Sequence, residues 1–127
     1  MTVPAQVESR ISVGGISVGE IVTVLQGKAT LLDEAIPDSS TDLLVACTID
    51  VSQLKGIVLM SSQDILIETN SGSAPVDTIA LLANKPYFWT SDYLAACFSA
   101  NITGLYVTNS SGSATALRGI YIVDPTA

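Results

Sequence analysis

The chain has 127 residues, of which 48% are apolar and only 13% charged, about half the charge of an ordinary soluble domain. That is the length of one domain with enough apolar material to bury a core. Twelve acidic residues against five basic ones leave a net charge of −7. Arg10, Lys28, Lys55, Lys85 and Arg118 are scattered, which argues against nucleic-acid binding and against an anionic membrane surface, since both need clustered cations.

Serine and threonine supply 27 residues, so the polar surface is hydroxylic more than ionic. Interface cores are depleted of charge, so a surface of this kind suggests that part of it meets protein. Residues 1–15 read as an arm: Pro4 comes early, the word ISVG occurs at Ile11 and again at Ile16, and glycines 14, 15 and 19 argue against a rigid strand throughout. The arm either frays, as termini do, or orders against a neighbouring subunit, which makes Ile11 and Ile16 candidate interface residues. The segment shows no charged n-region followed by an apolar h-region, so no secretory signal is expected. No apolar run approaches membrane-spanning length. The chain is expected to be made in a cytosol.

From residue 16 to residue 127 the pattern is that of a single β domain. GEIVTVLQ (19–26) is a strand, followed by a turn at Gly27-Lys28. KATLLDEAI (28–36) fits a strand or a short helix, because Leu31, Leu32, Ala35 and Ile36 also suit helical spacing. Pro37-Asp38-Ser39-Ser40 ends it. LLVACTI (43–49) is a continuous apolar run of strand length, and Gly56–Met60 is another.

Ile65–Leu82, ILIETNSGSAPVDTIALL, places the loop word TNSGSA between two strands. In Ile65–Thr69 the alternation sends Ile65 and Ile67 one way and Leu66 and Glu68 the other. Asn84-Lys85-Pro86 breaks the chain before Tyr87-Phe88-Trp89. Residues 91–98 suit either a helical turn capped by Ser91 or Asp92 or an irregular strand approach. LYVTNSSGSATALRGIYIV (105–123) then repeats the strand–loop–strand design. Eight or nine short strands at this spacing predict an all-β fold, an antiparallel β-sandwich of the eight-stranded jelly-roll kind with little helix.

Catalytic chemistry is hard to assemble. There is no histidine, which removes Ser-His-Asp triads, Cys-His pairs and imidazole metal sites. Cys47 and Cys97 sit in apolar settings and read as small buried hydrophobes; a disulfide between them would be unusual in a reducing compartment. Neither a zinc site nor a phosphate-cradling glycine loop is present. Asp33, Glu34, Asp38 and Asp42 read as solvated turn carboxylates, and no DxDxDG spacing supports calcium. No metal, no cofactor and no enzymatic activity are expected. Tyr87 and Trp89 share one face of their strand, as core anchors or as exposed aromatics for a subunit contact or a sugar.

The wording NITGLYVTNSSGSATALRGIYIVDP resembles small β-sandwich proteins of bacteriophage virions, such as capsid decoration (cement) proteins and minor head or fibre components. The resemblance runs from about Asp64 to Asp124 and lies in Ser/Thr/Ala-rich strands, TN-SGSA loops, low charge and the lack of histidine. It implies a non-enzymatic virion role in a symmetric oligomer, commonly a trimer, with a major capsid protein as partner. The chain is too short for a shell fold with extensions, which favours an accessory subunit. A carbohydrate- or ligand-binding sandwich using Tyr87, Trp89 and loop carboxylates is the alternative. Open sheet edges invite pairing, and the arm of another subunit is expected to cover them.

Overall fold

The structure, a computed structural model, describes residues 2–13, 16–91 and 98–124. All regular elements among them are strands: β1 (Thr2–Val13), β2 (Ile16–Ile36), β3 (Ser40–Val45), β4 (Leu54–Met60), β5 (Ile65–Thr69), β6 (Thr78–Leu81), β7 (Tyr87–Thr90), β8 (Leu105–Asn109) and β9 (Thr115–Val123). They form a five-stranded sheet in the order β1-β2-β9-β4-β7 and a four-stranded sheet in the order β3-β8-β5-β6.

The topology follows from folding the chain in half and rolling it up. The midpoint is the loop between β5 and β6, inside the Ile65–Leu82 stretch. Around it β5 pairs with β6, β4 with β7, β3 with β8 and β2 with β9, all antiparallel. Rolling this doubled ribbon brings β9 onto β4 and β8 onto β5. The result is the eight-stranded jelly roll, with β1 added outside it.

Alternation places the core between the sheets. Strand β5 reads buried, partly buried, buried along its length, with Ile65 and Ile67 inward and Leu66 and Glu68 outward. Leu32, Ile36, Leu117, Tyr121, Ile57 and Leu59 come in from the five-stranded sheet, and Val45, Leu105, Val107, Ile79 and Leu81 from the other. Each aliphatic side chain so buried contributes about 1.5–3 kcal/mol. Gly119 of β9 lies opposite Leu59 of β4. A Cβ there would meet the Val58 carbonyl oxygen at 2.5 Å and the Leu59 Cδ2 at 2.7 Å.

One open alternative is decided and two expectations change. Residues 28–36 form strand, not helix, because β9 offers them a continuous ladder from Lys28↔Val123 to Ile36↔Thr115. No turn forms at Gly27-Lys28, since β2 runs unbroken from Ile16 to Ile36. That point is instead where β2 changes partner: up to Lys28 it pairs with β1, and from Lys28 onward with β9. Most of the arm is strand as well, because its apolar residues at 3, 7, 11 and 13 recur with the period of a strand. Gly19 falls beside the register shift between Ser9 and Ile11, and Gly14 and Gly15 lie outside the described residues. The choice between helix and strand at 91–98 also falls largely on residues outside the description.

Candidate interaction surface

Strand register aligns an apolar row on the outer face of the five-stranded sheet. Leu31 of β2 stands opposite Ile120 of β9, Ile120 opposite Val58 of β4, and Val58 opposite Phe88 of β7. Leu31 is 76% exposed, Ile120 42% and Phe88 41%; Val58 is half-buried between its neighbours. Across four strands such a row runs about 15 Å. The next rung carries Asp33, Arg118 and Met60 in line, and Met60 is exposed as well. A groove of about 650 Å³ opens on this face, lined by Leu31, Val58, Met60 and Ile120 together with Asp33 and Arg118. A contiguous exposed apolar patch with a polar rim is the usual mark of an interaction site.

The outer face of the other sheet differs. Leu44, Tyr106, Glu68 and Thr78 form one rung there, and Asp42 comes up against Glu68. Asp42 takes a left-handed conformation, φ 49°, at the irregularity of β3. Its N–H donates to Thr108 Oγ1 at 3.1 Å. Partial burial and the Asp42 carboxylate hold the Glu68 carboxyl above its ordinary value. Gly72 of the β5–β6 loop lies against the same carboxylate, where a Cβ would sit 2.5 Å from Asp42 Cγ.

The remaining polar residues of interest are held in structural hydrogen bonds. Asn70 Nδ2 donates to the Asn101 carbonyl at 2.8 Å, and its Oδ1 accepts the Thr103 N–H at 2.8 Å. Asn109 is fully buried. Its Nδ2 donates to the carbonyls of Ser113, Pro37 and Ile36, and its Oδ1 accepts from the N–H and hydroxyl of Ser111. The Asp77 carboxylate accepts the Ser99 N–H and hydroxyl, both at 2.8 Å. Every buried polar side-chain atom among the described residues has a partner.

Cys47 is buried with a free thiol, and burial pushes that thiol up to about 11 despite its hydrogen bond with Tyr121. A thiol held there is protonated at neutral pH and inert. Cys97, the possible partner considered for it, lies outside the described residues.

The structure separates the other residues singled out in the sequence. Trp89 is only 8% exposed and belongs to the core. Tyr87 packs partly buried against that core, its ring 6.3 Å from the Phe98 ring. Of the three aromatics it is Phe88 that faces out. Ile11 and Ile16 lie in the β1–β2 hairpin, opposite Val18 and Val13. Asp33 and Glu34 occupy opposite faces of β2 by alternation and cannot act together. No group of three or more Cys, Asp or Glu side chains that could hold a metal ion occurs among the described residues.

No protein-family model matches the sequence, and no curated protein matches it. Among solved structures, a chain from the disulfide-linked pili of Bacillus endospore appendages is similar at 12% identity, over 78% of this chain and 91% of that one, with a TM-score of 0.35. A likeness at that level carries no function across.

The sequence missed the row because its four members come from four separate strands. One signal was present. Ile57-Val58-Leu59-Met60 and Ile120-Tyr121-Ile122 are apolar at consecutive positions, more than a strand with a single buried face requires.

Proposed function

We propose that this chain is a non-enzymatic structural subunit of a bacteriophage virion, a jelly-roll protein that self-associates and decorates or stabilises the capsid. Its partners on this reading are other copies of itself, in the trimer that the sequence resemblance implies, and a major capsid protein. The observation that carries the self-association is the exposed row Leu31–Ile120–Val58–Phe88, set in a sheet face whose nearest charges, Asp33 and Arg118, oppose each other. An apolar face on so weakly charged a chain favours a protein partner over a small ionic ligand. The burial of Trp89 takes away the flat aromatic platform that sugar binding would use.

The test is native mass by light scattering across a dilution series, followed by addition of purified capsids. A stable closed oligomer, or a monomer that binds capsids saturably, is expected. A monomer at tens of micromolar that ignores capsids would sink the proposal.

A further inference from the structure

Resting on that self-association, we propose that two copies stack the outer faces of their five-stranded sheets about a two-fold axis running along the strands between β2 and β9. Asp33 of each copy then pairs with Arg118 of the other.

Alternation sets the face. Leu32 and Ile36 of β2 enter the core, as do Leu117 and Tyr121 of β9. That leaves Leu31, Asp33 and Ala35 outward on one strand and Ile120, Arg118 and Ala116 outward on the other. Register makes three rungs of them: Leu31 opposite Ile120, Asp33 opposite Arg118, Ala35 opposite Ala116. All are exposed except Ala116, which is half-buried. Val58 and Met60 of β4 continue the first two rungs. Asp33 and Arg118 are the two charged residues that line the groove on this face.

Those two charges select both the occupant and its orientation. Taking a charge out of water is costly unless a partner of opposite sign is supplied, and a second copy supplies one of each. A sheet can be stacked on its own copy, strands aligned, in two ways. With the axis across the strands, each charge lies over its own kind at their rung. Moved to the Leu31 rung, that axis sets Asp33 over Ala29 and Arg118 over Ile122, which leaves both without a partner in the other copy. With the axis along the strands, midway between β2 and β9, the two strands change places and each rung is its own complement. Leu31 then meets Ile120, Asp33 meets Arg118 and Ala35 meets Ala116, and the four charges alternate in sign around a square. Packed sheets lie about 10 Å apart, a gap that an Arg and an Asp side chain span together.

The face is also where two copies of net charge −7 repel least, since it carries one charge of each sign. The other sheet brings Asp42 against Glu68 on its outer side. The three rungs with their β4 neighbours cover roughly 20 Å by 15 Å. With the side chains standing above the sheet, two copies bury on the order of 1,000 Å², the lower end of a specific contact. Such a contact is reversible on dilution. Being isologous, it closes at two copies, so it joins subunits in pairs and a trimer is built through other surfaces.

The test is a charge swap read by light scattering across a dilution series, in full-length chains whose fold is checked by circular dichroism. Asp33→Arg sets four positive charges at the axis and Arg118→Asp four negative ones. Each should raise the dissociation constant of the pair at least about tenfold. Mixing the two variants in equal amounts should restore the unsubstituted affinity, because each charge then meets its opposite in the other copy while the pair within each sheet stays broken. The double variant should match the unsubstituted chain. Asp33→Asn and Arg118→Gln, which remove a charge without reversing it, read the same contact if a reversal unfolds the chain, and each should weaken it several-fold. Ile120→Asp should weaken the pair with no rescue by mixing. Weakening by Ile120→Asp without any effect of the charge variants, or reversals that mixing fails to rescue, overturns the axis and leaves self-association standing. An unsubstituted chain that stays monomeric at tens of micromolar overturns both.

Discussion

Asn70 and Asn109, the same residue in two nearly identical loop words, clamp opposite ends of the sandwich. Strands β5 and β8 are antiparallel neighbours, so the loop that follows one lies at the far end from the loop that follows the other. Asn70 ties the β5–β6 loop to Asn101 and Thr103, the segment that leads into β8. Asn109 ties the β8–β9 loop to the end of β2 at Ile36 and Pro37. Asn109 is enclosed, so its loss strands several buried groups. Asn109→Ala is therefore expected to cost about 2–3 kcal/mol in urea unfolding. Asn70→Ala, less buried and losing an asparagine suited to φ 70°, should cost about 1 kcal/mol. Equal effects from the two would show that enclosure is not what matters. Asn109-Ser110-Ser111 has the spelling of an N-glycosylation sequon, and the burial of Asn109 makes it unusable in the folded chain.

The fold was legible because it rests on local rules. Ile65–Thr69 alternates as its burial does, and each Asn-Ser-Gly loop ends a strand where expected. What was not legible depends on which strand lies beside which. Gly27-Lys28 has turn composition but sits where one ladder partner replaces another, a fact set by β9 about ninety residues later. Leu31, ambiguous between helix and strand by spacing, becomes an exposed apolar residue only because register puts it opposite Ile120. Tyr87 and Trp89 were readable as core anchors or as contact residues, and burial of Trp89 depends on β7 closing the edge of a sheet formed from distant segments.

Gly119 offers a packing prediction. Leu32 of β2 and Leu59 of β4 flank it on the two sides of β9, and the obstruction to a Cβ includes the Val58 backbone as well as the Leu59 side chain. Backbone cannot move aside as a side-chain tip can. Gly119→Ala should cost about 1–3 kcal/mol despite alanine's better strand propensity. A thermal midpoint equal to that of the unsubstituted chain would mean that β4 and β9 separate easily.

Asp42 and Glu68 give a prediction with a sign in pH. The folded state holds the Glu68 carboxyl above its ordinary value, by partial burial and by the Asp42 carboxylate. The repulsion is absent at low pH, where Glu68 is protonated in both states, and grows as pH rises through the carboxylate range. Glu68→Gln should raise the melting temperature at pH 7 and leave it little changed near pH 3. A gain of the same size at both pH values would assign the effect to packing instead.

Cys47 gives the opposite end of the scale. Its thiol ordinarily titrates near 9 and is raised to about 11 in the folded chain, chiefly by burial. Between those values the unfolded chain can release a proton that the folded chain retains, so unfolding becomes progressively easier as pH rises. Tyr121, also raised by burial and by the neighbouring Cys47, pushes in the same direction. The stability of the native chain should therefore hold up to about pH 9 and decline toward pH 11. Cys47→Ser tests the thiol's share: its own stability is lower at pH 7, since a hydroxyl replaces a buried thiol, but it should fall less steeply across that window. At pH 7.5 a thiol-specific reagent should leave Cys47 unmodified in the folded chain and label it on addition of urea. Rapid labelling of Cys47 without denaturant, located by peptide mass, would show that the segment between β3 and β4 opens far more readily than its buried side chains imply.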